Sequence, residues 1–254
     1  MKRWLEHPLT RGLDVDDPRT TLLRRRILRE KRFLRRIYED WYGALAASLP
    51  EGSGRVLELG AGAGFLGDFV PRLIRSEVFY CPGTDVVLDG LELPFGNGCL
   101  RGVLMTNVLH HLPRPLAFFA EAARCVRPGG VVSMIEPWVT PWSRLVYTGL
   151  HHEPFLPEAR EWEFPAGGPL SRANGALPWI LFQRDRERFD RAAPAWQILS
   201  IEPIMPLRYL AAGGISLRSL MPASAYPLWR GIERLLSPLS ARSAMFARII
   251  LRRR

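Results

Sequence analysis

Between Asp17 and about Ser48 the apolar residues return with the period of a helix. Leu23, Ile27, Leu34, Tyr38, Trp41 and Leu45 follow one another at spacings of four, seven, four, three and four, which places them on one face. Asp17 and Pro18 supply a cap and a first-turn proline, so the pattern predicts one helix over this whole stretch, after a polar, irregular segment 1–16. Arg25, Arg29, Arg32 and Arg36 line another face. Two readings of that basic face stay open: the solvated side of a packed helix, or an interfacial helix drawn to anionic lipid or phosphate. Pro50 to Gly54 breaks the pattern. Residues 1–52 thus read as a basic amphipathic helical extension and residues 53–254 as the main domain.

From Arg55 onward the period changes. Val56 to Leu59, apolar except for Glu58, predicts a buried strand, followed by a glycine-rich turn and a short helix over Gly64–Val70. Leu73–Val78 predicts a second strand with Glu77 near its end; a strand over 77–81 instead would bring that acid in at the opposite end. Asp85–Leu88 predicts a third strand that delivers Asp89 and Gly90, and Leu100–Thr106 a fourth. Pro115 to about Arg127 is amphipathic with helical spacing, Arg127–Gly130 (RPGG) stops it, and Val131–Ile135 predicts a fifth strand. Strand and helix alternating with short turns imply an α/β fold, a Rossmann-like doubly wound parallel sheet with right-handed crossovers. Ligands of such sheets bind at the carboxyl ends of the strands, where Glu58, Glu77, Asp89, Asn107 and Glu136 fall.

The alternation fails over 137–195, a glycine- and proline-punctuated stretch that predicts a lid-like insertion covering substrate, partly helical over Pro178–Ala193. Regular structure resumes with strands near Ile198–Ile201 and Met245–Leu251 and a helix near Pro227–Leu236; Arg252–Arg254 read as a frayed tail.

Composition narrows the class. With 254 residues, 47% hydrophobic and 24% charged, the chain suits one α/β domain with a large core and excludes a disordered chain. A net charge of +10 favours acidic partners such as nucleic acid, anionic headgroups or phosphorylated substrates, without choosing among them. Three cysteines, Cys81, Cys99 and Cys125, with no C-x-x-C spacing argue against a disulfide framework or a zinc knuckle and for a reducing cytoplasm. No apolar run approaches the ~18 residues of a membrane span, and Glu6, His7 and Pro8 interrupt any signal peptide. A cytoplasmic protein with peripheral contact to anionic membrane as an option is the expectation.

The chemistry starts at Arg55–Phe65, RVLELGAGAGF. Gly60, Gly62 and Gly64 let a ligand press against bare backbone N–H groups. Glu58 completes the pattern E-x-G-x-G-x-G, and a carboxylate there repels a pyrophosphate but suits a cationic ligand. Glu77 stands about where a Rossmann-like unit places the acid that accepts both ribose hydroxyls. Asp89 could accept from an adenine amino group or simply form an Asp-Gly turn. His110, His111, His151 and His152 make up four of the five histidines and are the candidate bases. A metal on His151, His152 and Glu153 is set aside, because adjacent residues point in different directions. Trp138, Trp142, Trp162, Trp179, Phe155 and Tyr209 make the later region aromatic, as either an apolar pocket or core packing.

The series ELGAGAG, Glu77, LDG-x3-PF at Leu88–Phe95, NVLHHLP at Asn107–Pro113 and RPGG resembles the class I S-adenosylmethionine-dependent methyltransferases. It is nearest to their small-molecule branch, which includes quinone-biosynthesis enzymes, and the match spans roughly residues 53–137. The resemblance implies a seven-stranded sheet whose last strand is antiparallel, and S-adenosylmethionine as cofactor. It implies that the methionine part lies over Gly60, Gly62 and Gly64 with Glu58 toward its amino group. Glu77 would take the ribose, Asp89 and Gly90 the adenine, and Asn107 would sit near the reactive end. The reaction expected is methyl transfer to an O, N or C nucleophile of a small or lipid-like metabolite. His110, His111, His151 and His152 are its candidate catalytic residues, Glu136, Trp138, Glu153 and Tyr209 its candidate substrate contacts, and no metal is expected. A nucleic-acid methyltransferase and a non-catalytic cofactor-binding scaffold are the alternatives.

Overall fold

The computed structural model describes residues 16–150, 153–165, 167–168 and 171–254. Its centre is a seven-stranded sheet in the order β3-β2-β1-β4-β5-β7-β6. The strands are β1 (Arg55–Leu59), β2 (Leu73–Glu77), β3 (Val86–Val87), β4 (Leu100–Thr106), β5 (Val126–Pro137), β6 (Trp196–Ile204) and β7 (Phe246–Arg253). The first five pair in parallel, whereas β7 runs antiparallel between β5 and β6. β1 is buried from Val56 on and β5 from Val131 on, so both faces of the central sheet are covered, which is why these segments read as apolar runs and not as alternation. Strand order reverses between β1 and β4, and the crevice at that switch point opens beside the glycine turn.

The amphipathic stretch before the sheet forms two helices, α1 (Pro18–Glu30) and α2 (Arg32–Ala47), not one. Asp17 caps α1 by accepting from Arg19 N at 2.8 Å. Lys31 breaks the run at φ −83° and ψ 78°. Its buried ammonium donates to the Gly214 carbonyl and, at 2.7 Å, to that of Leu217, which draws the chain inward at the joint. The predicted face is the packed one: Ile27, Leu34, Tyr38, Trp41 and Leu45 are all buried, with Phe33, Ile37 and Tyr42 beside them. Arg29, Arg32 and Arg36 remain exposed. Trp41 meets Phe246 of β7 with ring centroids 5.1 Å apart and stacks on Tyr209 at 5.7 Å. α2 therefore belongs to the same core as the sheet.

Three further expectations change. After the glycine turn there is only one 3-10 turn, Leu66–Asp68, in place of a helix over 64–70, with Pro71 closing it off. Arg127–Gly130 ends α3 (Pro115–Cys125) as expected, but it lies within β5 as a bulge. The β4 partner moves from Val126 opposite Leu100 directly to Val131 opposite Gly102. Arg252 and Arg253 are not frayed. They pair with Gln197 and Trp196, and Arg253 Nε donates to the Ala123 carbonyl at 2.9 Å.

The insertion packs over the carboxyl ends of β4 and β5. It begins with α4 (Pro141–Leu150) and ends in a continuous run of turns at Leu177–Trp179, a π-turn at Ile180–Arg184 and α5 (Arg186–Ala192). Asn174 ties it down: its N–H donates to the His110 carbonyl, and its side chain accepts from Leu156 N and Ala176 N. Phe182 and Phe189 pack edge-on against Phe119 of α3. α6 (Arg208–Ala212) and α7 (Tyr226–Leu235) then lead to β7. They are joined by a buried cluster in which Arg208 donates to Glu233, Asp40 and the Tyr226 hydroxyl.

Candidate active site

The glycine turn makes one wall of a cavity of about 200 Å³, lined also by Glu58, Glu77, Asn107, His110, His111, Glu153 and Tyr209. Gly60 and Gly62 hold φ of +68° and +51°, the left-handed region that side chains avoid. A Cβ on Gly60 would meet Val108 Cγ2 at 2.5 Å, and one on Gly64 would meet the Tyr42 hydroxyl oxygen at 2.3 Å. The turn is bare because its neighbours already fill the space. Glu77, at the carboxyl end of β2, closes it: Oε1 accepts from Gly62 N at 2.5 Å and Oε2 from Val78 N at 3.2 Å.

Glu58 lies beneath the turn, 4% exposed. Burial, with the Glu77 charge adding to it, pushes its carboxyl up to about 8. A second cavity, of about 440 Å³, adjoins the first through Gly60, Glu77 and His111 and takes in Asp89 and Gly90. Asp89 Oδ1 accepts from Leu91 N at 2.8 Å, the turn geometry open to an Asp-Gly pair, and its side chain still lines this second space. The eight expected cofactor residues thus surround two connected hollows along the switch-point crevice.

Asn107 follows β4 with φ +57°, which asparagine tolerates, and turns the chain into the 3-10 segment Leu109–His111. Its buried Oδ1 has no partner among the described residues. Glu136 organises the segment from the end of β5. Wholly buried, it accepts from Val108 N at 2.7 Å, Leu109 N at 2.8 Å and His110 Nδ1 at 2.6 Å. It does not line the cavity, so the expectation of a substrate contact gives way to a positioning role. Trp138 does not line it either; 4% exposed, it packs in the core.

His110 Nε2 stands 3.5 Å from Glu153 Oε2. Burial opposes a charge on His110, yet Glu136 and then Glu153 hold it up to about 9. His111 Nδ1 lies 3.1 Å from the Arg172 carbonyl, and burial plus the His110 charge push His111 down to about 4. His151 and His152 lie outside the described residues.

The cavity also contains groups that the sequence did not name as site residues, although Tyr38 stood on the predicted apolar face and Phe155 in the aromatic region. Thr21, Arg24 and Leu28 of α1 and Tyr38 and Tyr42 of α2 roof it, and Tyr147 and Phe155 stack at 4.7 Å in its wall. Arg24 has no ion-pair partner among the described residues. The Tyr38–Tyr42 pair, two hydroxyls one turn apart on an apolar face, was the signal available for the roof.

Residues 68–134 match a family model described as a methyltransferase domain. An uncharacterized methyltransferase of Mycobacterium avium (strain 104) is 30% identical over 161 residues, 51% of this chain and 64% of that relative. One from Mycobacterium sp. (strain KMS) is 30% identical over 164 residues, 53% of this chain and 65% of that relative. The chain therefore spans just under two thirds of the length of these relatives.

Among solved structures, geranyl diphosphate C-methyltransferase from Streptomyces coelicolor A3(2) superposes with a TM-score of 0.53 at 13% identity, covering 99% of this chain and 90% of that one. A geranyl diphosphate methyltransferase in complex with S-adenosylmethionine gives 0.51 at 15% identity, with 97% and 94% covered. At such identities the likeness is one of fold. Residues 68–134 are thus similar to a methyltransferase domain, and the seven-stranded sheet with β7 antiparallel is the Rossmann-like fold that these two methyltransferase structures share.

Proposed function

We propose that the chain transfers the methyl group of S-adenosylmethionine to an O, N or C nucleophile of a small or lipid-like metabolite. The observation that carries this reading is the Gly60–Gly64 turn over Glu58, one wall of a cavity that leaves room for a ligand above a buried acid that suits a cation. The residues fit the cofactor in two further respects. Asn107 offers, beside the turn, a buried oxygen with no partner among the described residues, and Arg24, which forms no ion pair among those residues, offers a cation for a ligand carboxylate. When bound, the cofactor supplies a sulfonium methyl that is already electrophilic. The chain's part is then alignment of the acceptor and exclusion of water.

On this reading Glu77 also takes the ribose, and Asp89 and Gly90 the adenine in the second hollow. His110, His111, Glu153 and Tyr209 face the acceptor, where His110 and His111 carry the catalytic role. The aromatic wall of Tyr38, Tyr42, Tyr147, Phe155 and Tyr209 favours a flat or lipid-like acceptor. The resemblance to the quinone-biosynthesis branch points the same way. Residues 137–195 act as the cover of the acceptor and residues 1–52 as the roof-bearing extension. The nucleic-acid alternative has less support: Arg25 is committed to the Pro82 and Gly62 carbonyls.

Isothermal titration of the full chain with S-adenosylmethionine and with S-adenosylhomocysteine tests the reading. Binding of both at micromolar concentrations is expected; absence of heat at high micromolar concentrations with folded protein overturns it.

A further inference from the structure

His110 and His111 are adjacent in sequence, and adjacent side chains ordinarily diverge. Here the 3-10 turn brings their rings to 4.2 Å between centroids, tilted by 39°. The Nδ1 side of each ring is tied to an acceptor. That of His110 meets the buried Glu136 carboxylate and that of His111 the Arg172 backbone carbonyl. An imidazole whose Nδ1–H is held by a carboxylate or a carbonyl presents Nε2 as its electron-pair donor, and this is the arrangement that orients histidines toward a metal ion.

Glu153, carried in by the insertion, completes the set. One ring nitrogen of His110, one of His111 and one Glu153 oxygen lie within 4.8 Å of one another. Ligand atoms about 2.0–2.1 Å from a tetrahedral cation stand about 3.3 Å apart. The 3.5 Å between His110 Nε2 and Glu153 Oε2 already has that spacing, and the remaining separation is within a side-chain adjustment. All three residues line the cavity shared with the glycine turn and Asn107.

We propose that His110, His111 and Glu153 bind a divalent first-row transition ion, with Glu136 and the Arg172 carbonyl fixing the two rings. Two imidazoles and one carboxylate suit zinc, cobalt or iron(II) better than magnesium, which prefers oxygen ligands. Three protein ligands leave a position open to the cavity, and an oxygen of the bound substrate is the group that would take it. The ion binding stands by itself; its use in holding the acceptor's oxygen rests on the methyl-transfer reading.

The test is equilibrium dialysis of the full chain, stripped with chelator, against zinc or cobalt(II), with visible cobalt absorption as a second readout. One ion per chain is expected, displaced from cobalt to zinc. His111→Ala and Glu153→Gln should each remove it while leaving the thermal melt of the stripped protein in place. Glu136→Gln should weaken it about 10–100-fold.

Absence of stoichiometric uptake overturns the proposal. So does uptake that survives His111→Ala and Glu153→Gln but is lost in the pair His151→Ala, His152→Ala. If His111→Ala does not fold, Glu153→Gln alone decides, since that side chain is 20% exposed at the edge of the cluster. Titration of the stripped protein with S-adenosylmethionine is read separately. Cofactor binding without ion uptake removes only the metal site, and ion uptake without cofactor binding removes only the methyl-transfer reading.

Discussion

Buried beside Glu77, Glu58 keeps its proton up to about pH 8 when no cation faces it. A cationic amino group over the glycine turn favours the carboxylate and lowers that value. Cofactor binding near neutral pH should therefore release a proton. The measured binding enthalpy should vary with the ionisation enthalpy of the buffer, and Glu58→Gln should remove the dependence. An enthalpy that is the same in all buffers would count against Glu58 as the group that meets the cation.

Glu58 and the three glycines were legible in the sequence because they lie within seven residues of one another and act through local backbone. The tie from Glu136 to His110 was not legible, since it joins positions that only the pairing of β4 with β5 brings together. The same holds for the Tyr42 hydroxyl over Gly64, which depends on how a distant helix packs.

Among the elements, α1 and α2 carry the largest difference between pattern and structure. Their apolar positions keep a helical spacing across residue 31, so nothing in the period marks the break. The cause is the burial of one lysine ammonium against two carbonyls of the segment after α6. The bend turns Arg24 and Thr21 over the cavity. Arg24→Ala should weaken S-adenosylmethionine binding about tenfold, the scale of one charge-assisted hydrogen bond, with a nearly unchanged melting temperature because Arg24 makes no ion pair among the described residues. Unchanged affinity would remove the roof from the cofactor site. β1, β4 and β5 were readable as elements because buried strands are largely apolar, whereas β2 and β3 are only partly buried and were placed by the strand–turn alternation. The glycine-turn helix was not, because Pro71 and Arg72, the latter at φ +59°, end it after one turn.

For the whole molecule, two buried groups give the free protein a pH profile of stability with opposed limbs. Glu58 is raised from 4.5 to about 8, so the folded state holds more protons between those values, and stability falls as pH rises through them. Burial lowers Lys31 from 10.5 to about 8. The folded state then holds fewer protons between 8 and 10.5, so the penalty is full below 8 and is relieved as pH rises. Urea unfolding below pH 8 and again near pH 10 should show a gain of about 1–3 kcal/mol from Lys31, which Lys31→Met abolishes. His110, held up to about 9, loses stability over part of the same range, so the lysine is read from the difference between the native protein and Lys31→Met, and no difference would show that the ammonium stays solvated. Among the described residues no helix is long and apolar enough to cross a membrane.

β7, inserted between β5 and β6, has a consequence for how the protein is made. Trp41 and Phe246 touch across 205 positions of chain (246 minus 41), and β7 supplies Phe246 to the cavity wall. During synthesis the glycine turn, the histidines and both roof helices leave the ribosome long before this strand does. Until it arrives, β5 and β6 both lack their shared neighbour, and Trp41 of α2 lacks the Phe246 ring it packs against. The nascent chain must wait with these edges uncovered, which makes closure of the site a late, slow step governed by long-range contacts.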